Sequence, residues 1–424
     1  MQEDFLHYLW KHKKINFNTL STTKGEKITV INVGEHNYNT GPDFFNAQLK
    51  IGNQLWAGNL EIHLQSSDWY VHNHENDSNY DNVILHVVWE HDIEIFRKDN
   101  TEIPTLELKH YVPEETLRNY QKLFNQSQKW INCENDLHIV DEFTVSNWLE
   151  RLYFERLERK AEDVSKILEQ NTNDWEAVLF KLLSKNFGLK INSESFFSIA
   201  NSFDFSIIRK QQSRQLSVEA LLFGQADLLN EDIQYSYYIA LQNEYQFLKQ
   251  KFNLSSKNVI PLQFFRLRPA NFPTIRLSQL ANLYHSHHNI FSKIIETKSL
   301  NEFYNLFSIE TSIFWETHYT FNKESKSAKK RLTKSFIHLL LINTILPIKF
   351  SYAKYQGKLI DNEIIQIIQQ IASEKNSIVN KFNGLKKISN NAMQSQAIIE
   401  LKTNYCDKNK CLQCAIGNVV LNRN

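Results

Sequence analysis

Apolar residues along the first quarter of the chain follow two rhythms. In EDFLHYLWKH (3–12) they recur three and four positions apart, which predicts a helix. KITVINVG (27–34), FFNAQLKI (44–51) and LWAGNLEIHL (55–64) instead read as strands, with Gly52-Asn53 as the turn joining the last two. A polar stretch, HNHENDSNYDN, precedes NVILHVVWEHDIEIF (82–96), whose Val and Ile content predicts another strand. The expected order is helix, three strands, a polar or helical crossover, then a strand.

From about residue 112 the rhythm becomes helical. VSNWLERLYFERLERKAEDVSKILEQ (145–170) spaces apolar residues three and four apart with charges between them. NDWEAVLFKLLSKNFG (173–188) ends on a glycine, a helix-stop signal, and several later segments repeat the pattern. The expected fold class is α+β. A small N-terminal α/β domain covers residues 1–110, and a large, mostly α-helical region with a Cys-rich tail covers 111–424.

Composition refines this picture. Only 10 Gly and 7 Pro in 424 residues argue against long flexible linkers. MQEDFLHYLWKHKK carries charge on both sides of its apolar residues, unlike a secretory signal. The longest apolar stretch, FIHLLLINTILPIKF (336–350), is short and broken by His, Asn and Pro, so no membrane span is expected. A cytoplasmic location follows as the expectation, and there four Cys serve metal binding more readily than disulfides.

The net charge of +1 hides an asymmetry. Residues 1–110 carry 9 Lys/Arg against 16 Asp/Glu, whereas residues 321–424 carry 17 against 6. An acidic start suits a cation site and a basic end suits a polyanion, although Lys-rich helices also serve simply as solvated surface.

The candidate chemistry begins at GPDFFNAQLKIGNQLWAGNLEIHL (41–64). Side chains alternate along a strand, so Glu61 and His63 share a face. Asp43 opens the preceding strand and reaches that face across the hairpin. The two carboxylates and the Ile62 carbonyl form an oxygen-rich corner suited to Mg²⁺ or Mn²⁺. His72, His74 and His86 follow, with Asp68 nearby, and the H-x-H step at 72–74 could hold Zn²⁺ or Mn²⁺. His72 reads as a surface or hydrogen-bonding residue, while His74 and His86 can join the acidic face.

Pro42-Asp43, seventeen residues, then Glu61-Ile62-His63 resembles the PD-(D/E)xK signature of restriction-endonuclease-like nucleases, as does the element order. The resemblance implies a metal-dependent nuclease with Asp43 and Glu61 as metal-binding acids and Glu35 as an additional acid. Ser66 or Ser67 would line the strand end. His63 stands where that family usually has Lys, and would orient or deprotonate water.

Cys406, Cys411 and Cys414 form C-x4-C-x2-C, and the remaining Cys is Cys133. Four thiolates suit Zn²⁺ or an iron–sulfur cluster, and would clip the C-terminus to the segment after the α/β domain. The set is similar to the [4Fe–4S] staple of some exonuclease and CRISPR-adaptation nucleases. In those the distant Cys precedes the nuclease core, whereas Cys133 follows it. FFRLRPANFPTIRL (264–277) offers Arg266, Arg268 and Arg276, and Lys330 and Arg331 lie in a second basic run. Both suit nucleic-acid phosphates, or internal ion pairing.

GPDFFNAQL, GNLEIHLQSSDWYVH, VILHVVWEHD, LRPANFPTIRLSQLA and YCDKNKCLQCAIG together resemble an uncharacterised bacterial family, domain of unknown function 2851. That resemblance implies no activity, which must come from the site. The expected function is phosphodiester hydrolysis of DNA or RNA by a metal-dependent nuclease. The alternatives are a catalytically inactive nuclease-like scaffold that binds nucleic acid or protein, and a Zn²⁺ or Mn²⁺ hydrolase in which His72, His74 and His86 converge with Glu61.

Overall fold

The computed structural model describes residues 1–37, 39–124 and 129–422. The chain divides into two compact units: Met1–Trp148 with Leu401–Asn424, and Leu149–Glu400. The expected boundary near 110 marks where strands give way to helices, but it is not where packing divides. Helix α3 (Glu114–Phe124) and the segment through Trp148 stay with the sheet, and the C-terminal stretch returns to it. The α+β reading holds, with the mixed sheet near the N-terminus and helices dominating afterwards.

Unit 1 opens with helix α1 (Glu3–Lys11), which buries Phe5, Leu6, Tyr8, Leu9 and Trp10. The sheet comprises β1 (Ile28–Asn32), β2 (Glu35–His36), β3 (Phe44–Ile51), β4 (Gln54–Gln65), β5 (Val83–Glu90) and β6 (Thr105–Glu107). Its order is β1-β3-β4-β5-β6, with β2 pairing the start of β3. The β1, β3 and β4 pairings are antiparallel, and β3 meets β4 across a turn at Gly52, whose φ of 55° suits a residue without Cβ. The β4–β5 and β5–β6 pairings are parallel, with Glu61 opposite His86 and His63 opposite Val88.

A parallel pair needs a crossover. Here it is the short helix α2 (Asp68–Val71) followed by single turns at His74–Asn76 and Ser78–Tyr80. Trp69 and Tyr80 from this crossover pack with Val83, Ile95 and Ile103 and so fix it over the sheet. β5 is buried at every position from Val83 to Val88, as expected of a strand covered on both faces.

Unit 2 is largely helical. Helix α4 (Glu142–Gln170) enters it from the end of unit 1, and Trp175–Phe187 follows, capped by Asp174 accepting from the amides of Glu176 and Ala177. Gly188 ends that helix as expected, in right-handed geometry. The apolar run at 336–350 belongs to a longer helical segment, Lys334–Tyr355, that turns as a π-helix at Leu341–Ile345 before Pro347. By length and composition this segment could cross a membrane, but 78% of its most apolar window is packed inside the protein. It is therefore read as a core helix.

Candidate metal centre

The sheet brings a histidine-rich cluster to one end of β4. Glu61 and His63 are 5% and 2% exposed, and His86, beside them on β5, is fully buried. Nδ1 of His63 lies 2.8 Å from Nε2 of His86. On its other side, Nε2 of His63 lies 3.1 Å from Nδ1 of His72 and 3.5 Å from Oε1 of Glu61. Nε2 of His74 reaches the same Glu61 oxygen at 3.3 Å, without hydrogen-bond geometry. The crossover supplies His72 and His74, and Trp69 and Tyr80 hold it in place. The His74 ring stacks on Tyr80 with centroids 3.8 Å apart.

Asp43 closes the other side. Its backbone N–H donates to Glu61 Oε2 at 3.2 Å, and its own Oδ2 accepts from the Ile62 amide at 2.9 Å. That exchange locks the two carboxylates together across the hairpin. His7 of α1 brings Nε2 to 3.2 Å from Asp43 Oδ2. His36 stacks on Phe44 and meets the His7 ring edge-on.

Burial dominates the electrostatics. Removal from water, with the Asp43 carboxylate second, pushes Glu61 up to about 9. Burial, then His74 and His72, holds His63 down to about 3. Burial, then His72, holds His74 down to about 4, and burial drives His86 well below its ordinary value. The His63, His74 and His86 rings are therefore held neutral across the physiological range, the form that ligates metal.

Among the described residues, His63, His72 and His74 have ligand atoms that all lie within 4.8 Å of one another. A tetrahedral ion with metal–nitrogen bonds of about 2.0–2.1 Å has ligand–ligand edges of about 3.3 Å. Three contacts approach that edge, His63 to His72 at 3.1 Å, His74 to Glu61 at 3.3 Å and His63 to Glu61 at 3.5 Å, although Glu61 lies outside the triad that converges within 4.8 Å. His86 sits on the far nitrogen of His63, the usual position of a residue that orients an imidazole ligand.

The sequence-predicted residues fare unequally. Asp43, Glu61 and His63 come together as expected, and His72 and His74 join them. His72 is exposed as a residue, yet its Nδ1 enters the cluster. Glu35 does not join. It is exposed on β2, and strand alternation turns its neighbour His36 inward instead. Ser66 bonds His91 at 2.8 Å, and the Ser67 amide donates to Asp92 at 2.9 Å. His7 and His36 were not foreseen. The available signal was histidine density, with ten of 15 lying before residue 139.

In unit 2, two of the five basic candidates prove internal. Buried Arg276 donates to Gln279 at 2.9 Å and Asn271 at 2.7 Å, and lies over the Phe336 ring at 3.7 Å. Buried Lys330 donates to the carbonyls of Trp315 and Glu316. Both cations serve the interior, where an unpaired charge is costly, and this corrects their reading as phosphate contacts. Arg266 and Arg268 are exposed, and exposed Arg331 pairs with Glu310 at 3.0 Å.

No curated protein and no solved structure matches the chain. The family described as "Protein of unknown function (DUF2851)" matches residues 3–377. This protein belongs to that family.

Proposed function

We propose that the protein is a metal-dependent phosphodiester hydrolase acting on nucleic acid, with a divalent cation held by His63, His72, His74 and Glu61. The observation that carries this reading is the convergence of three imidazole nitrogens within 4.8 Å, beside a buried carboxyl. Three nitrogens and one carboxylate suit Mn²⁺ or Zn²⁺ better than Mg²⁺. Support for nuclease chemistry comes from the Pro42-Asp43 and Glu61-Ile62-His63 spacing, and from the order α1, β1, β3, β4, crossover, β5, which resembles the PD-(D/E)xK core. The basic C-terminal quarter of the sequence favours a polyanionic substrate.

A cation bound here supplies polarisation of a phosphate oxygen and a lowered pKa for water. The chain's own residues do the rest. His86 fixes the orientation of His63. With His63 turned to ligation, the duty of the lysine usual in PD-(D/E)xK nucleases passes to Asp43 and His7, 3.2 Å apart. That pair takes the proton of the attacking water as the phosphorus–oxygen ester bond breaks. The close burial of Glu61 and His63 favours the competing reading, an inactive scaffold, and the same assay separates the two.

The assay is cleavage of labelled single- and double-stranded DNA and RNA, and of a small phosphodiester, in Mn²⁺, Zn²⁺ or Mg²⁺. Wild type is expected to cleave nucleic acid with Mn²⁺ or Zn²⁺, and Glu61→Gln to lower kcat by about 100-fold or more. Turnover of the small ester alone removes the nucleic-acid assignment. Binding without turnover of any substrate establishes the scaffold.

A further inference from the structure

We infer that Arg156 and Lys160 of α4, with Asn343 orienting the arginine, form a binding site in unit 2 for a doubly charged oxyanion of the phosphate class. The site is independent of the histidine cluster and needs no metal. Arg156 lies midway along α4, which runs unbroken from Glu142 to Gln170, and is 5% exposed. A guanidinium carries five N–H donors, and the hydrogen bond made here runs from Nη2 to Asn343 Oδ1 at 3.2 Å. Nη1 is enclosed and has no partner. An enclosed, unmet donor on a cation is costly, and a bound anion removes that cost.

Lys160 follows four residues later, so the helix puts it on the same face as Arg156, where like charges repel. It is half-buried. Burial, then Arg156 and Arg159, holds its ammonium down to about 8, with Asp163 acting more weakly in the opposite sense. A carboxylate bonded to it would push the other way. The nearby acids are engaged elsewhere. Glu400 is bound by Arg159, at 2.5 Å from Nη2 and 3.4 Å from Nε. Glu374 lies in the field of Arg156, but burial pushes its carboxyl up, and its side-chain hydrogen bond goes to Gln396.

The π turn Leu341–Ile345 delivers Asn343. Asn343 Nδ2 donates to the Leu339 carbonyl at 3.1 Å, which turns Oδ1 to the guanidinium. Thr344 accepts from Asn186 at 2.7 Å, holding the turn against the helix Trp175–Phe187. Such π turns are uncommon and often accompany functional sites. With Nη2 fixed, the other donors of Arg156 and the Lys160 ammonium are left for a ligand. A guanidinium fork matches two oxygens of a phosphate, and the ammonium adds a point charge. Two cations match a dianion, whereas chloride or a single carboxylate balances one of them.

The test is calorimetric titration of the full chain with inorganic phosphate, in EDTA so that no metal at the histidines captures the anion. One phosphate per chain is expected. Lys160→Met should weaken it by about tenfold or more, the worth of one charge-assisted hydrogen bond. The same variant should raise the melting temperature in phosphate-free buffer, because it removes one of two facing cations. A purely structural lysine would lower it. Arg156→Lys keeps the charge, loses the fork, and should also weaken binding by about tenfold or more. A parallel titration with a nucleoside monophosphate distinguishes free phosphate from a phosphate ester as the tighter ligand. No saturable binding of either, equal binding of chloride, or unchanged affinity in Lys160→Met would overturn the inference.

Discussion

His74→Ala is expected to weaken Mn²⁺ or Zn²⁺ binding by more than about 100-fold, beyond the loss caused by removing a residue that only supports a ligand. His74 Nε2 is buried, has no hydrogen-bond partner, and faces Glu61 Oε1 at 3.3 Å. An imidazole in that state is costly unless something takes its lone pair. The ring also packs on Tyr80 and against Trp69. Its removal should therefore cost about 1 kcal/mol of packing, a loss unit 1 can absorb. Calorimetric titration with each metal, alongside a thermal melt, separates the roles. A structural residue would lower the melting temperature and leave affinity unchanged. His110, which lies on the surface, provides the control.

Lys349→Met is expected to destabilise unit 2 by about 3–5 kcal/mol, the usual cost of breaking a buried charge arrangement from one side. Lys349 is 2% exposed. Its Nζ donates to the carbonyls of Ile294 at 3.1 Å, Ile295 at 2.8 Å and Thr297 at 2.8 Å, and pairs with Glu363 at 2.9 Å. These carbonyls close the helix Ile290–Glu296, where the backbone has no further amide to accept from. Met fills the volume of the lysine stem but leaves the carbonyls and the Glu363 carboxylate without their cation. Urea unfolding followed by a probe in unit 2 checks this. A change below about 0.5 kcal/mol would show that water or a neighbour replaces the ammonium.

Local features of the site were legible in the sequence, and distant ones were not. The Gly52-Asn53 turn between two apolar runs predicts the β3–β4 hairpin, and alternation along β4 then puts Glu61 and His63 on one face. Asp43 follows from the register of that hairpin. The crossover histidines could be suspected from H-x-H, but their approach to Glu61 depends on Trp69 and Tyr80 packing over the sheet. His7 arrives from another element altogether, and no spacing in the sequence links it to Asp43. The unit boundary is hidden from the sequence for a related reason. A change from strand to helix is local and visible, whereas the return of residues 401–422 to the sheet unit is a long-range event. Arg276 and Lys330 show the same limit, because a basic run reads alike whether its charges face solvent or fill internal hydrogen bonds.

The most direct test is anomalous diffraction at the manganese and zinc absorption edges, from crystals of the full chain grown with each metal. The account predicts a peak about 2.0–2.2 Å from Nε2 of His63, Nδ1 of His72 and Nε2 of His74, with a Glu61 oxygen completing the set. Metal bound elsewhere, with His72 still hydrogen-bonded to His63 and His74 Nε2 still without a partner, would contradict it.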